Sequence, residues 1–157
     1  MTTDALNRYP ARNDLARVLI AGFISGALAV LIFHQGAYAL LHAMQILPRP
    51  AFGMAPTEPF GVPQLWSYVF WGGVWGVLLA AALGRMATGR LLVAALIFGA
   101  VLPTLVVWFV VAPIKGQPIA SGFVPSRMWI GPVLNGAWGL GTGIGLALAR
   151  GLFRGRA

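Results

Sequence analysis

The chain has 157 residues, of which 59% are hydrophobic and 9% charged, with a mean hydropathy of +0.81. Soluble domains carry about a quarter charged residues, so a water-soluble fold could not hide this much apolar surface. The net charge of +8 does not point to nucleic acid, because the basic residues sit at the ends of apolar runs, and the absence of cysteine excludes disulfides, thiolate metal sites and thiol nucleophiles.

A helix needs roughly 20 apolar residues to cross a hydrocarbon core about 30 Å thick. Residues 18–47, 64–84, 91–112 and 128–149 all reach that length, and none shows the alternation of a barrel strand. The expectation is an all-α membrane protein with four transmembrane helices and a single domain over 1–157. Arg8, Arg12 and Arg17 precede the first run, Arg85 and Arg90 separate the second and third, and Arg150, Arg154 and Arg156 follow the fourth. These eight face three on the other side, Arg49, Lys115 and Arg127, so the positive-inside rule places both termini in the cytoplasm. The acidic residues are Asp4, Asp14 and Glu58. The first run contains a small-x-small site at Ala37-Tyr38-Ala39, but it continues through Leu40, Leu41, Ala43 and Met44, which marks an anchor rather than a cleaved signal.

Within the first run, Gly22 and Gly26 stand four apart, the spacing that lets helix backbones approach closely. Farther along, Gln35, Tyr38, His42 and Gln45 follow steps of three, four and three, with His34 beside them. Counted from Arg17, His34 lies roughly 25 Å along the helix and His42 about 37 Å. His34 and Gln35 are therefore expected inside the bilayer, paired with a neighbouring helix or lining a polar path. Histidines eight residues apart on one helix cannot clasp one heme, and no cofactor or metal site is expected.

Pro48, Pro50, Pro56, Pro59 and Pro63 make the next connector stiff and extended. It is expected either to fold back over the polar stripe, with Phe52, Met54 and Phe60 dipping into the interface, or to remain a rigid surface loop. The second run starts with Trp66 and Tyr68, which fit an aromatic belt, and carries Gly72 and Gly76 at small-xxx-small spacing. The third run holds Pro103, which removes a backbone bond and should kink it; a connector with Pro113, Pro118, Phe123 and Pro125 follows. The fourth run contains Trp129, Pro132, the amide Asn135 and a glycine series that includes Gly141 and Gly145. Pro132 should disturb its outer end. No strand precedes the glycine series and the GxGxxG spacing is absent, so these glycines are read as packing positions rather than a nucleotide loop.

The second and fourth runs repeat one pattern: Trp66, Gly73, Trp75 and Gly76 recur 63 positions later as Trp129, Gly136, Trp138 and Gly139. A weaker echo at 65 positions links Leu31-Ile32-Phe33 with Leu96-Ile97-Phe98 and Pro48 with Pro113. The chain thus reads as two tandem hairpins, about 15–86 and 90–150, forming a parallel repeat about an axis along the membrane normal.

There is no HExxH motif, no carboxylate pair and no serine with a base partner, so enzyme activity is not expected. Phe33-His34-Gln35, Pro59-Phe60-Gly61-Val62-Pro63-Gln64 and Phe70-Trp71-Gly72-Gly73-Val74-Trp75-Gly76 resemble small four-span inner-membrane proteins of bacteria without an assigned function. The resemblance implies a multi-pass place in the bacterial inner membrane and brings no catalytic residue. Two functions remain open. One is association through the glycine faces Gly22, Gly26, Gly72, Gly76, Gly141 and Gly145, as a homo-oligomer or an accessory subunit of another membrane protein. The other is a small transporter or channel with a polar path past His34, Gln35 and Asn135, to which Tyr38 and His42 would belong.

Overall fold

Among the described residues, helical structure runs without interruption from Arg12 to Ala43, as α1 (Arg12–Ala29), one π-helical segment (Val30–His34) and α2 (Gln35–Ala43). The structure is a computed structural model that describes residues 12–154 and the side chains of 15–151; Asp4, Arg8 and Arg156 lie outside the described residues. The rod stops at Ala43, four residues before the expected end. His42 Nδ1 donates to the carbonyl of Leu47 at 2.8 Å, and Gln45 takes a left-handed conformation at φ 61°, so 44–47 form a closing turn. A hairpin follows, β1 (Pro56–Thr57) antiparallel to β2 (Val62–Pro63), and leads directly into α3 (Gln64–Leu83).

After a short turn, α4 (Thr88–Val106) passes into a second π-helical segment (Val107–Val111) and then α5 (Ala112–Ile114). A left-handed turn over Ala120, Ser121, Gly122 and Phe123 precedes α6 (Pro125–Met128) and the long α7 (Ile130–Arg154). Pro103 sits inside α4 one turn before its π segment, where the bond it cannot donate is missing. Pro132 falls in the first turn of α7, where the backbone N–H groups have no intrahelical acceptor, so it causes no interruption there.

Among the described residues the protein is all-α apart from the hairpin of two two-residue strands. Three helical stretches, Leu15–Ala43, Gln64–Leu83 and Thr88–Ile114, are long and apolar enough to cross a membrane, which marks a multi-pass membrane protein. The fourth helix, α7, is not among them. Its seven glycines, with Asn135 and Thr142, lower its hydropathy, and it needs fewer lipid-facing side chains because it is the most enclosed helix of the bundle. Large apolar side chains such as Ile20, Ile24, Leu28 and Ile32 on the first rod, and Val93, Ile97 and Val101 on α4, stand exposed in rows, as lipid contact requires.

α1 packs against α3, α4 packs against α7, and α1 also lies along α7; α3 and α4 touch little. Glycines permit the two closest crossings. A Cβ at Gly76 would strike the Gly22 carbonyl and come within 2.9 Å of Gly26 Cα; a Cβ at Gly139 would strike the Ala95 carbonyl and come within 2.9 Å of Gly99 Cα. The likeness extends one turn on, where Gly22 opposes Ala80 and Ala95 opposes Gly143, with the small and smaller partners exchanged. Positions on α3 and α7 correspond at a spacing of 63. Those on α1 and α4 correspond at 73, not at the 65 of the sequence echo, which the packing does not follow.

Leu79, Ala80, Leu91, Ala95 and Leu146, each at most 2% exposed, fill the half of the bundle where α1 begins, α3 ends, α4 begins and α7 ends. Described basic residues cluster at this basic end: Arg17, Arg85, Arg90 and Arg150. Arg150 donates to the carbonyls of Gly84 (3.1 Å) and Met86 (2.7 Å), which ties α7 to the α3–α4 turn.

Candidate functional site

The opposite half, the loop end, is not filled. A cleft of about 360 Å³ opens there among all four helices. Both π segments border it: Val30 and His34 from the first, Val107 and Val111 from the second. A π turn widens the helix and displaces its neighbours, and such turns concentrate at functional sites. Trp138 closes the floor; it is 3% exposed and its indole N–H donates to the Gly26 carbonyl at 2.9 Å. The glycine crossing below the cleft is what brings that carbonyl within reach.

Of the five polar residues singled out in the sequence, the cleft collects three, His34, Tyr38 and Asn135. His34 Nδ1 is buried and has no hydrogen-bond partner, and its ring lies 5.7 Å from that of Tyr68. Asn135 donates from Nδ2 to Thr104 Oγ1 at 2.9 Å, which joins α7 to α4 at the cleft wall. An unsatisfied polar atom in the apolar part of a membrane protein is costly, and among the described residues His34 Nδ1 is the buried side-chain polar atom of this site left without a partner.

The other two residues do not join it. Gln35 is 2% exposed and its Oε1 accepts from the Phe52 backbone N–H at 2.7 Å, which clasps the first connector to the rod. His42 closes the turn onto Leu47 as described. Successive helix residues are about 100° apart, so the stripe divides at Tyr38: the His34 flank meets the cleft and the Gln35–His42 flank meets the connector. The connector does fold back over part of the stripe, while Phe52, Met54, Phe60 and Phe123 remain exposed at 49%, 53%, 86% and 65%.

Four lining residues carried no signal in the sequence that grouped them with this site. Gln64 and Tyr68 enter from the first turns of α3, where Gln64 Nε2 donates to Tyr68 Oη at 2.7 Å; Lys115 and Gln117 enter from the loop after α5. Tyr68 lines the cleft while remaining 39% exposed, much as Trp129 is at 40%, and Trp66 stands 53% exposed at the loop end. Lys115 is the single charged side chain of the lining, and the lining contains no carboxylate.

The packing glycines are engaged inside the chain. Gly22, Gly26, Gly72 and Gly76 form the α1–α3 crossing, Gly141 carries the Phe33 ring and Gly145 faces Ser25. Comparison with protein-family models, with characterised proteins and with solved structures gives no match.

Proposed function

We propose that this chain is a multi-pass protein of the bacterial inner membrane, built as two tandem hairpins with both termini in the cytoplasm, and that it works by binding a small molecule in the cleft at its outer end. The observation that carries this reading is His34 Nδ1, buried without a partner at the wall of a cleft lined by Tyr38, Tyr68, Gln64, Asn135 and Lys115. A volume of about 360 Å³ lies within the range of small-molecule sites, roughly 300–1,000 Å³. The orientation rests on the excess of basic residues at the basic end. The like crossings at Gly76 and Gly139 support the tandem hairpins, and the sequence resemblance supports the bacterial inner membrane.

A continuous path through one chain is not favoured, because the close-packed cluster around Leu79, Leu91 and Ala95 fills the basic end beneath Trp138. The protein is then a binding component rather than an open channel. Association with itself or with another membrane protein is the second reading. It would use a different surface from the glycines, namely the apolar groove of about 500 Å³ between α1 and α7 lined by Ile20, Ile24, Leu28, Ile144 and Leu148.

The lack of native cysteine allows single cysteines to be labelled with a membrane-impermeant thiosulfonate applied to spheroplasts. Val107→Cys and Asn135→Cys should react from outside, Ala95→Cys from neither side, and Gly89→Cys only after permeabilisation. A silent cleft in both variants would show it to be dry and would sink the binding reading. Reaction of the cleft positions equally from both sides would replace it with a through path.

A further inference from the structure

The chemistry of the cleft wall indicates what it takes. Hydrogen-bond donors dominate the mouth. Neither the Lys115 ammonium, the Gln117 amide nor the Tyr38 hydroxyl has a hydrogen-bond partner among the described residues, and Tyr68 Oη accepts from Gln64 while its own proton stays available. With one cation and no carboxylate in the lining, the missing complement is an anion. The backbone that presents Lys115 and Gln117 is held by their N–H bonds to the Ala112 carbonyl, at 3.1 and 2.8 Å, and a left-handed turn follows, where Ala120, Ser121 and Phe123 take φ of 47°, 57° and 55° and Ala120 is 1% exposed. Consecutive non-glycine residues in that region cost of order 1–2 kcal/mol each, and such strain gathers at ligand clamps.

The rest of the wall is apolar and opens sideways. α3 and α4 are bridged where Trp75 meets Phe98, ring centroids 6.0 Å apart, and beyond that contact toward the loop end Trp71 of α3 and Val107 and Val111 of the second π segment border the same cleft. Trp71 is 56% exposed, so the seam between these helices faces the surrounding lipid.

Resting on the binding reading above, we propose that the ligand is an anionic amphiphile, one carboxylate or phosphate on an apolar body, with its charge at Lys115 and its body between Trp71 and the second π segment. His34 and the Asn135 amide line the cleft at the polar junction between head and body. Such a molecule could come from the outer leaflet through the α3–α4 seam, as a fatty acid or anionic phospholipid does, or from water through the mouth; the shared chemistry is the same and the two sources separate experimentally.

Purified full-length protein in nanodiscs of zwitterionic phosphatidylcholine offers its own reporter, since Trp71, Trp75 and Trp138 line the cleft. Heavy-atom quenching of tryptophan emission is titrated with dibromostearate, with its uncharged methyl ester, with dibrominated phosphatidylglycerol and with water-soluble 4-iodobenzoate. Saturable quenching by at least one anion is expected, with apparent affinity at least tenfold above that for the ester, reduced at least tenfold by Lys115→Gln, and largely lost as a signal in Trp71→Phe. Saturation by the lipid anions alone assigns entry through the seam, and saturation by iodobenzoate alone assigns the mouth. Equal quenching by acid and ester, or an unchanged titration in Lys115→Gln, would overturn the proposal. The two readings fail separately: if Val107→Cys or Asn135→Cys labels from outside and no anion saturates, the ligand class is wrong and the cleft stands; if neither labels, the cleft itself is wrong.

Discussion

Adding one methyl group at Gly76 is the most direct probe of the packing on which the cleft rests. The new Cβ of Gly76→Ala would collide with the Gly22 carbonyl and lie 2.9 Å from Gly26 Cα, where carbon atoms prefer about 3.5–4.0 Å. Both obstacles are backbone, so no side-chain rotation relieves them and α1 must move from α3 by about 1 Å. Inserting a methyl into a tight core costs about 1–3 kcal/mol, and the rigid surroundings put this case near 3. Alanine regains about 1 kcal/mol of helix propensity, which leaves a net loss of about 2 kcal/mol. That is about a 30-fold drop in the folded-to-unfolded ratio. Gly36→Ala is the control, because nothing lies within 4 Å of the added carbon and only the propensity gain should register. Reversible unfolding in mixed micelles of rising dodecyl sulfate fraction, followed by tryptophan emission, measures both. Gly139→Ala should match Gly76→Ala within about 0.5 kcal/mol, since its contacts with Ala95 and Gly99 have the same geometry. If Gly76→Ala proves as stable as Gly36→Ala, the two backbones do not cross there and the reasoning fails.

Three further outcomes follow from single contacts. Gln35→Leu leaves the Phe52 N–H without its acceptor, a loss of about 1–3 kcal/mol borne by the connector, so chymotrypsin should cut at Phe52 several-fold faster while the bundle stays folded; an unchanged rate would mean the clasp does not hold the connector. Arg150→Gln should lower stability by about 2 kcal/mol, with Arg150→Lys recovering part, as two carbonyls at Gly84 and Met86 lose a charged donor; equal stability of all three proteins in the micelle titration would refute the tie. Thr104→Val strands the Asn135 amide and should cost about 1–2 kcal/mol, and adding Asn135→Leu should cost less than the sum of the two single changes; strict additivity would show that the pair does not interact.

Much of the fold was legible because lipid imposes simple demands. Run length gave the helical rods, and the four-residue glycine spacings picked out Gly22, Gly26, Gly72 and Gly76, all of which meet at one crossing. Gly141 and Gly145 have the same spacing but serve a different contact, taking the side chains of Phe33 and Ser25 instead of a glycine backbone, which spacing alone does not distinguish. α7 falls short on hydropathy for the reason that it is central: its neighbours are helices, so glycine and amide replace the lipid-facing leucines of an outer span. The candidate site was legible only in part. His34, Tyr38 and Asn135 stood out as polar residues within apolar runs, but the helical steps that grouped Gln35 and His42 with them hide an arc wide enough to face two different surroundings. Lys115, Gln117 and Gln64 lie in or beside connectors, where a polar residue is ordinary, and neither π turn leaves a residue pattern that marks it.

Under the proposed duplication, the existence of the cleft becomes a question of unequal seams. Two equivalent hairpins would pack α3 on α4 as closely as α1 on α7, and no opening would remain between them. The residues at corresponding positions prevent this. Where α7 offers Gly141 and Gly145, α3 has Leu78 and Ala82 at positions 63 earlier; where α1 offers Ser25, α4 has Phe98 at the position 73 later. The first seam closes because Phe33 and Ser25 fit over bare glycine. On the second, Leu78 is left 49% exposed and Phe98 is held off by the edge of Trp75, so the helices diverge above that ring pair. Trp138 and Trp75, counterparts in the repeat, have separated in the same way: one is buried in the cleft floor and bonded to the Gly26 carbonyl, the other is only partly buried in the cleft wall. A few large-for-small differences on one seam are therefore enough to convert a closed pair of hairpins into a bundle with a lateral opening. The two π turns then set His34 and Val107 on the walls of that opening, and the binding chemistry rests on an asymmetry of size before it rests on any polar group.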